Sequence, residues 1–258
     1  MLDSPAMARG MLISFEGIDG AGKHTQITRL AASLAARNIP CEVISFPVYE
    51  TFSGRLIERY LSGDFGPLDQ VDPHFSAMLF ANDRFKQRDR MMRALHAGKT
   101  LLADRYVASN LAHQGARVPA AERHAFLHWL SRLEYGANDL PHEDLVLYLR
   151  IEPGEAQARM LLRRAGPAAR HAGDLHERDS QHLVAAAALY DELARGENWI
   201  TIDCIEPATG QPRSPDEIHA LVMAAVDVRM ARFRAMQALH PVADDEGPEP
   251  DFEIGGSG

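Results

Sequence analysis

Cysteine is nearly missing from this chain: Cys41 and Cys204 are the only two in 258 residues. Each falls in or beside a stretch with strand character. A disulfide framework is therefore excluded, and two buried free thiols in a reducing cytoplasm are expected. No apolar run approaches the roughly 18 residues that a membrane span requires. Residues 1–10 are too short and too little apolar to read as a secretory signal. Positive charge is also scarce, with 27 Lys and Arg against 36 Asp and Glu and a formal net charge of −9. That balance argues against non-specific binding to nucleic acid or to anionic membranes. It is unevenly spread, because no Lys or Arg follows Arg234 while Asp244, Asp245, Glu246, Glu249, Asp251 and Glu253 do. Those six account for six of the nine excess negative charges, so the body of the chain is close to −3. A protein of this kind that handles anions must gather its positive charge at one place. Internal repeats are absent, and 46% apolar with 24% charged residues is the composition of one globular domain.

What is present is organised around one stretch, Phe15-Glu16-Gly17-Ile18-Asp19-Gly20-Ala21-Gly22-Lys23-His24-Thr25-Gln26. Met11 to Phe15 before it reads as a buried strand. Ile27, Leu30, Ala31 and Leu34 after it recur at helical spacing. Gly17 and Gly22 lie five apart with Lys23 next, which is the P-loop pattern in its required strand–loop–helix setting. Glycine lets the backbone wrap an anion, its N–H groups point inward, and the helix N-terminus adds partial positive charge. Residues Gly17 to Thr25 are thus the expected phosphate cradle, with Lys23 bridging the terminal phosphates of a donor nucleotide. The pattern departs at one position. Ser or Thr normally follows the lysine and holds Mg²⁺ through its hydroxyl; here His24 stands there. Thr25 is one residue late and is expected to face elsewhere.

The rest alternates short apolar strands with longer amphipathic stretches, which predicts a parallel sheet covered by helices. Strands are expected at Cys41–Phe46, Leu101–Ala103, Leu145–Leu149 and Trp199–Ile202. Helices are expected from about Ser53, as its own cap, to Leu61, and from Asp72, an N-cap followed by Pro73, to Gly98. Further helices are predicted over Val107–Glu134 with a break near Pro119, ending at Arg159–Arg164, over Glu177–Leu193, and from Pro215 to about Met236. One domain spans residues 1–237, with a loop at about 163–176. Residues 238–258, rich in proline, acid and glycine, read as a disordered acidic tail.

Several clusters could carry chemistry. Asp104-Arg105 closes a buried strand, so both side chains emerge at its carboxyl end, where open α/β sheets bind ligands. The aspartate can hold Mg²⁺ and the arginine can pair with phosphate oxygens. Phe80 and Arg84 share a helix face, a ring to cover a base and a guanidinium to hold its edge or phosphate. Ser109, Asn110, His113 and Gln114 follow closely, and paired amide donors and acceptors suit a base edge. Arg159, Arg163, Arg164 and Arg170 gather around Gly166-Pro167, and an arginine-bearing lid there would neutralise charge and exclude water. His124 and His128 have zinc-pair spacing but lack the intervening Glu and a third ligand, and read as ordinary helix residues.

Taken together, the P-loop with Asp19 inside it, then Phe46-Pro47, Leu79-Phe80 with Arg84, Asp104-Arg105-Tyr106 and Ser109-Asn110 resemble the thymidylate kinase family in order and spacing, over about residues 10 to 225. The resemblance implies an α/β P-loop NTPase fold with a five-stranded parallel sheet and helices on both faces. It implies transfer of the γ-phosphoryl of ATP to dTMP with Mg²⁺, and a homodimer. Carried over by motif, Gly17–Lys23 would bind the ATP phosphates and Asp19 would place Mg²⁺ or the acceptor. Arg105 would bind the acceptor phosphate, Phe80 would stack on thymine, and Arg84 would contact the base. Ser109, Asn110 and Gln114 would line the nucleoside pocket. Tyr49 stands where many members carry an acceptor-binding arginine, and His113 where the family often has an aromatic residue. Gly20 occupies the place of a catalytic arginine in the branch that includes the human enzyme. The lid arginines fit the bacterial-type branch. Two alternatives stay open: the same chemistry on another nucleoside monophosphate or a nucleoside, and a non-catalytic nucleotide switch, which His24 would favour.

Overall fold

The computed structural model describes residues 9–164 and 180–239. Five parallel strands form one sheet in the order β2-β3-β1-β4-β5. They are β1 (Leu12–Glu16), β2 (Cys41–Ser45), β3 (Thr100–Asp104), β4 (Leu145–Arg150) and β5 (Trp199–Asp203). Burial explains their sequence character. β1 is wholly buried and β4 buried through Leu149, hence their unbroken apolar runs, whereas the edge strands β2 and β5 are mostly half-exposed. The registers pair Ile13 with Leu102 and with Leu145, so neighbouring side chains stand on the same face.

Alternate residues feed two cores. Ile13, Phe15, Leu102 and Leu147 pack with Ile27, Leu30 and Leu34 of α1 (Lys23–Ala36), Leu183 and Tyr190 of α7 (Ser180–Leu193), and Val222 and Val226 of α8 (Pro215–Leu239). Leu12, Ile44, Leu101 and Ala103 pack on the other face with Ala77, Met91 and Leu95 of α3 (Pro73–His96) and with Phe126 and Leu130 of α5 (Ala120–Ser131). The expected five-stranded parallel sheet with helices on both faces is what the chain forms. β1 carries the loop to α1 on one face, while β3 leads into α4 (Val107–Gly115), whose Ala112 joins the α1-side core and whose Val107 and Leu111 join the other. The crevice between their carboxyl ends is the topological switch point where such sheets bind ligands.

Local chemistry sets the boundaries. Asp72 caps α3 by accepting from the N–H groups of His74 (2.7 Å) and Phe75 (3.2 Å), with Pro73 at the first helical position. For α2 (Phe52–Ser62) the cap is Thr51, whose hydroxyl accepts from Gly54 N at 3.0 Å, and not Ser53 as the sequence suggested; Ser53 lies inside the helix and bonds Asp83 instead. The helical break near Pro119 is real, and α5 runs on into a π-helical turn at Arg132–Ala137. α8 continues to Leu239, past the residue 238 expected to open the tail. Residues 240–258 and 165–179 lie outside the described residues. Among the described residues no helix is long and apolar enough to cross a membrane, and no cluster of three metal-ligating side chains forms.

Candidate active site

A cavity of about 840 Å³ opens over the carboxyl ends of β1, β2 and β3. Its floor is the phosphate-binding loop. Gly22 caps α1 with φ 93°, a left-handed conformation that glycine adopts without steric cost. Gly20 has φ 90°, and a Cβ there would stand 2.5 Å from the Ala156 carbonyl oxygen of α6 (Pro153–Arg164). Position 20 cannot present an arginine without displacing that helix. Ile18 and Ala21 are core residues, each 1% exposed, and take part in the loop through their backbone. Lys23 folds back over the loop, its Nζ donating to the carbonyls of Gly17 (2.9 Å) and Ile18 (3.0 Å). Burial and the neighbouring Arg105 cation lower its ammonium to about 8, against the opposing pull of Asp19, Asp104 and Glu16. His24 and Thr25 both line the mouth of the cavity, which corrects the expectation that Thr25 faces away. The exposed His24 ring approaches the Asp104 carboxylate, Nδ1 to Oδ2, at 3.8 Å.

Arg105 occupies the centre. Directly after β3 its backbone turns left-handed at φ 66°, an uncommon state for an arginine, which aims the guanidinium back at the loop. Nη2 donates to the Asp19 carboxylate, while Nη1 reaches Gly17 O (3.3 Å), Ser109 Oγ (3.1 Å) and the His113 ring (3.3 Å). Burial alone would raise the Asp19 acid, but Arg105 and then Lys23 outweigh it and hold the carboxyl well below its usual range. Behind this pair lies Glu16, fully buried at the end of β1. It accepts from Tyr106 N (2.7 Å), Ser109 Oγ (2.6 Å) and Tyr190 OH (3.0 Å), and burial raises its pKa despite these bonds. Tyr106 itself is in the core, its hydroxyl donating to Pro141 O, and does not face the cavity.

The loop after β2 forms one wall. Phe46 is buried against Tyr106 (ring centroids 6.0 Å) and Pro47 and Tyr49 face the cavity. Asp83 of α3 pins this loop, accepting from Val48 N (2.9 Å), Ser53 Oγ (2.9 Å) and Thr51 Oγ1 (3.3 Å). At the far end α3 and α4 bring together Phe80, Arg84, Asn110, His113 and Gln114. Phe80 is half-buried, edge-on to Tyr60. Arg84 is 2% exposed and bidentate on Glu134, which is fully buried; Nε donates to Oε2 at 3.1 Å and Nη2 to Oε1. Burial opposes the Arg84 charge, and the Glu134 carboxylate more than restores it. Asn110 Nδ2 donates to Ala77 O (3.0 Å) and Glu134 Oε1 (2.8 Å), leaving its buried Oδ1 with no hydrogen-bond partner among the described residues. The His113 ring lies 5.5 Å from that of His182, tilted by 37°, with Nδ1 3.3 Å from Nε2.

Thus the candidates Asp19, Lys23, His24, Asp104, Arg105, Phe80, Arg84, Ser109, Asn110, His113 and Gln114, far apart in sequence, share one cavity. Arg170 and the side chains of Arg163 and Arg164 lie outside the described residues; the backbone of the last two ends α6. Sequence reasoning missed Glu16, Asp83 and Glu134, the buried acids that orient these groups. Their only signal was an acid inside an apolar strand or on a core-facing helix position.

The family profile described as Thymidylate kinase matches residues 15–211. Thymidylate kinase of Mycobacterium tuberculosis is 30% identical over 199 residues, 74% of this chain and 91% of that protein. The human enzyme of that name is 34% identical over 154 residues, 60% of this chain and 67% of that protein. The Arabidopsis thaliana one is 36% identical over 157 residues, 61% of this chain and 55% of the plant protein, so the chain matches little more than half of that relative. A solved structure of thymidylate kinase from Candida albicans superposes with a TM-score of 0.67 at 21% identity, covering 86% of this chain and 93% of that one, which shows the shared fold. With a profile match running from the end of β1 past β5 and a cavity assembled from the same segments, the chain belongs to the thymidylate kinase family, whose members are nucleoside monophosphate kinases.

Proposed function

We propose that this protein transfers the γ-phosphoryl group of ATP to dTMP, giving dTDP and ADP. The observation that carries the reading is that one cavity joins a phosphate cradle to a base-sized slot with Arg105 between them. Lys23 leaves the Gly17 and Ile18 carbonyls to meet the terminal phosphates of ATP, whose charge restores the ammonium that burial weakens. Arg105, released in part from Asp19, holds the acceptor phosphate in line with the γ-phosphoryl group. Phe80 covers the base, Arg84 offers its Nη1 to a carbonyl, and the unpartnered Asn110 Oδ1 accepts from the ring N3–H of thymine. Mg²⁺ fits the donor set. Asp104 sits in the cavity next to the His24 ring, Asp19 lines the same cavity with its carboxyl held well below its usual range, and carboxylate oxygens are the ligands this ion prefers. When bound, the ion supplies charge neutralisation of the phosphate oxygens.

The Gly20 contact with Ala156 supports a source of transition-state charge other than the loop, and the lid arginines Arg163, Arg164 and Arg170 remain the proposed source. The family resemblance also supports a homodimer, and Phe75, Met78 and Phe85, each more than 40% exposed along α3, offer the apolar surface it needs. Two free thiols support a reducing cytoplasmic location. The deciding experiment is ADP formation with Mg²⁺-ATP across nucleoside monophosphates and nucleosides. Preference for dTMP is expected. Turnover of another acceptor, or ATP binding without acceptor-dependent turnover, would refute the reading.

A further inference from the structure

Gln114 is 1% exposed, lines the base end of the cavity, and is held in one orientation by a residue outside it. Its Oε1 accepts from Arg117 Nη1 (2.8 Å) and from Ser76 Oγ (2.8 Å), which fills both carbonyl lone pairs. The same Arg117 nitrogen donates to Ser76 Oγ (2.7 Å) and Tyr60 OH (3.2 Å), and Nη2 donates to the carbonyls of Leu68 (2.6 Å) and Val71. A guanidinium so fixed has no acceptor lone pair, so turning the Gln114 amide over would set two donors face to face. The amide nitrogen is therefore the end presented to the cavity, and among the described residues no acceptor takes it.

Asn110 is oriented the opposite way. The Glu134 carboxylate and the Ala77 carbonyl claim its nitrogen, leaving the oxygen toward the slot. Ser76, Phe80 and Arg84 stand at successive four-residue steps on one face of α3, about 6 Å apart along the axis. A base covering Phe80 then has Gln114, tethered to Ser76, on one side and Arg84 on the other.

Resting on the thymidylate reading above, we propose that Arg117 is a positioning residue: by locking the Gln114 amide it completes a donor–acceptor–donor row of Gln114 Nε2, Asn110 Oδ1 and Arg84 Nη1. That row complements the acceptor–donor–acceptor edge (O2, N3–H, O4) of a diketo pyrimidine, with Gln114 taking the carbonyl that Arg84 does not. Cytosine, with a bare N3 acceptor, and the purines break the pattern.

The test combines enzyme and substrate changes. Steady-state kinetics are measured with dTMP, its 2-thio analogue and its 4-thio analogue, sulfur being a weak acceptor. The wild type is expected to lose about 5–10-fold in kcat/KM for each analogue, one hydrogen bond apiece. Gln114→Glu keeps an oxygen for Arg117 and Ser76 but replaces the presented NH₂ with an acceptor. Its KM for dTMP should rise on the order of 10–100-fold with KM for ATP unchanged, and the penalty for one thio analogue should disappear while the other persists. Arg117→Met should shrink that same penalty, and Arg117→Lys should restore it in part. Retention of both penalties in Gln114→Glu, where the Arg117 clamp is intact, overturns the role of Gln114. A full penalty in folded Arg117→Met overturns the role of Arg117. A wild type that ignores dTMP while using another acceptor refutes the thymidylate reading instead, a result separate from either.

Discussion

Removing Glu134 tests the architecture of the base end. Its carboxylate is fully buried and holds two groups at once, the Arg84 guanidinium in bidentate fashion and the Asn110 amide at 2.8 Å. Glu134→Ala strands a buried cation beside a cavity and frees an amide. Breaking a buried ion pair from one side costs about 3–5 kcal/mol. At about 2–4 °C per kcal/mol for a domain of this size, the melting temperature should fall by roughly 10 °C. Replacing both partners is a different perturbation. In Arg84→Met/Glu134→Leu the polar groups leave together, so most of the stability should return, because hydrophobic substitutes for a buried pair are often neutral. Activity should not return with it, since the base has lost its guanidinium and Asn110 its anchor. Thermal melts and acceptor kinetics on the three proteins separate the effects. If Glu134→Ala melts within 2 °C of the wild type, or the double variant regains dTMP turnover, the reasoning fails.

Other consequences are as direct. Lys23→Met should abolish phosphoryl transfer yet raise stability at pH 7, because a folded-state value of about 8 against an ordinary 10.5 is a cost of burial amounting to at most ~3 kcal/mol. In the wild type that cost is present below about pH 8 and relieved as pH rises toward 10.5, where the folded state binds fewer protons than the unfolded chain; melts from pH 7 to 10 on both proteins would show the difference. Glu143, buried just ahead of β4 where it accepts from Tyr135 OH (2.7 Å) and raised to about 7 by burial, works with the opposite sign: the stability it contributes is present below about pH 4.5 and lost as pH climbs through 7. Glu143→Gln should flatten that decline, which equal slopes in pH-dependent melts would contradict. Arg105→Ala should slow turnover by about 10²–10³-fold as a lost transition-state charge contact, and near wild-type kcat would remove Arg105 from the mechanism.

The parts that were legible in the sequence are those whose signal is local. Gly17, Gly22 and Lys23 announce the cradle because loop, strand and helix are contiguous. Asp104-Arg105 is readable because a strand end fixes where its next residues emerge. Asp72-Pro73 is readable because a cap needs only its own first turn. Glu16, Asp83 and Glu134 were not, because their partners are distant in the chain: Tyr190 for Glu16 is 174 residues away, and Arg84 for Glu134 is 50. A buried acid within LISFE looks like a strand end until Ser109 and Tyr106 are seen to close over it. Thr51 displaced Ser53 as the helix cap for a related reason: Asp83, contributed by another helix, already claims the serine.

Glu16 has a further consequence for how the two sides of the cavity are held together. This carboxylate does not line the cavity, yet it adjoins Gly17 of the phosphate-binding loop and ties Ser109 and the start of α4, with Tyr190 of α7 closing the knot. The phosphate-binding loop and the start of α4 are thereby tied through one buried carboxylate. On the proposed reading, ATP and acceptor are expected to change each other's binding by an equal factor, as thermodynamic reciprocity requires, and identical affinities with and without the other nucleotide in binding titrations would refute this.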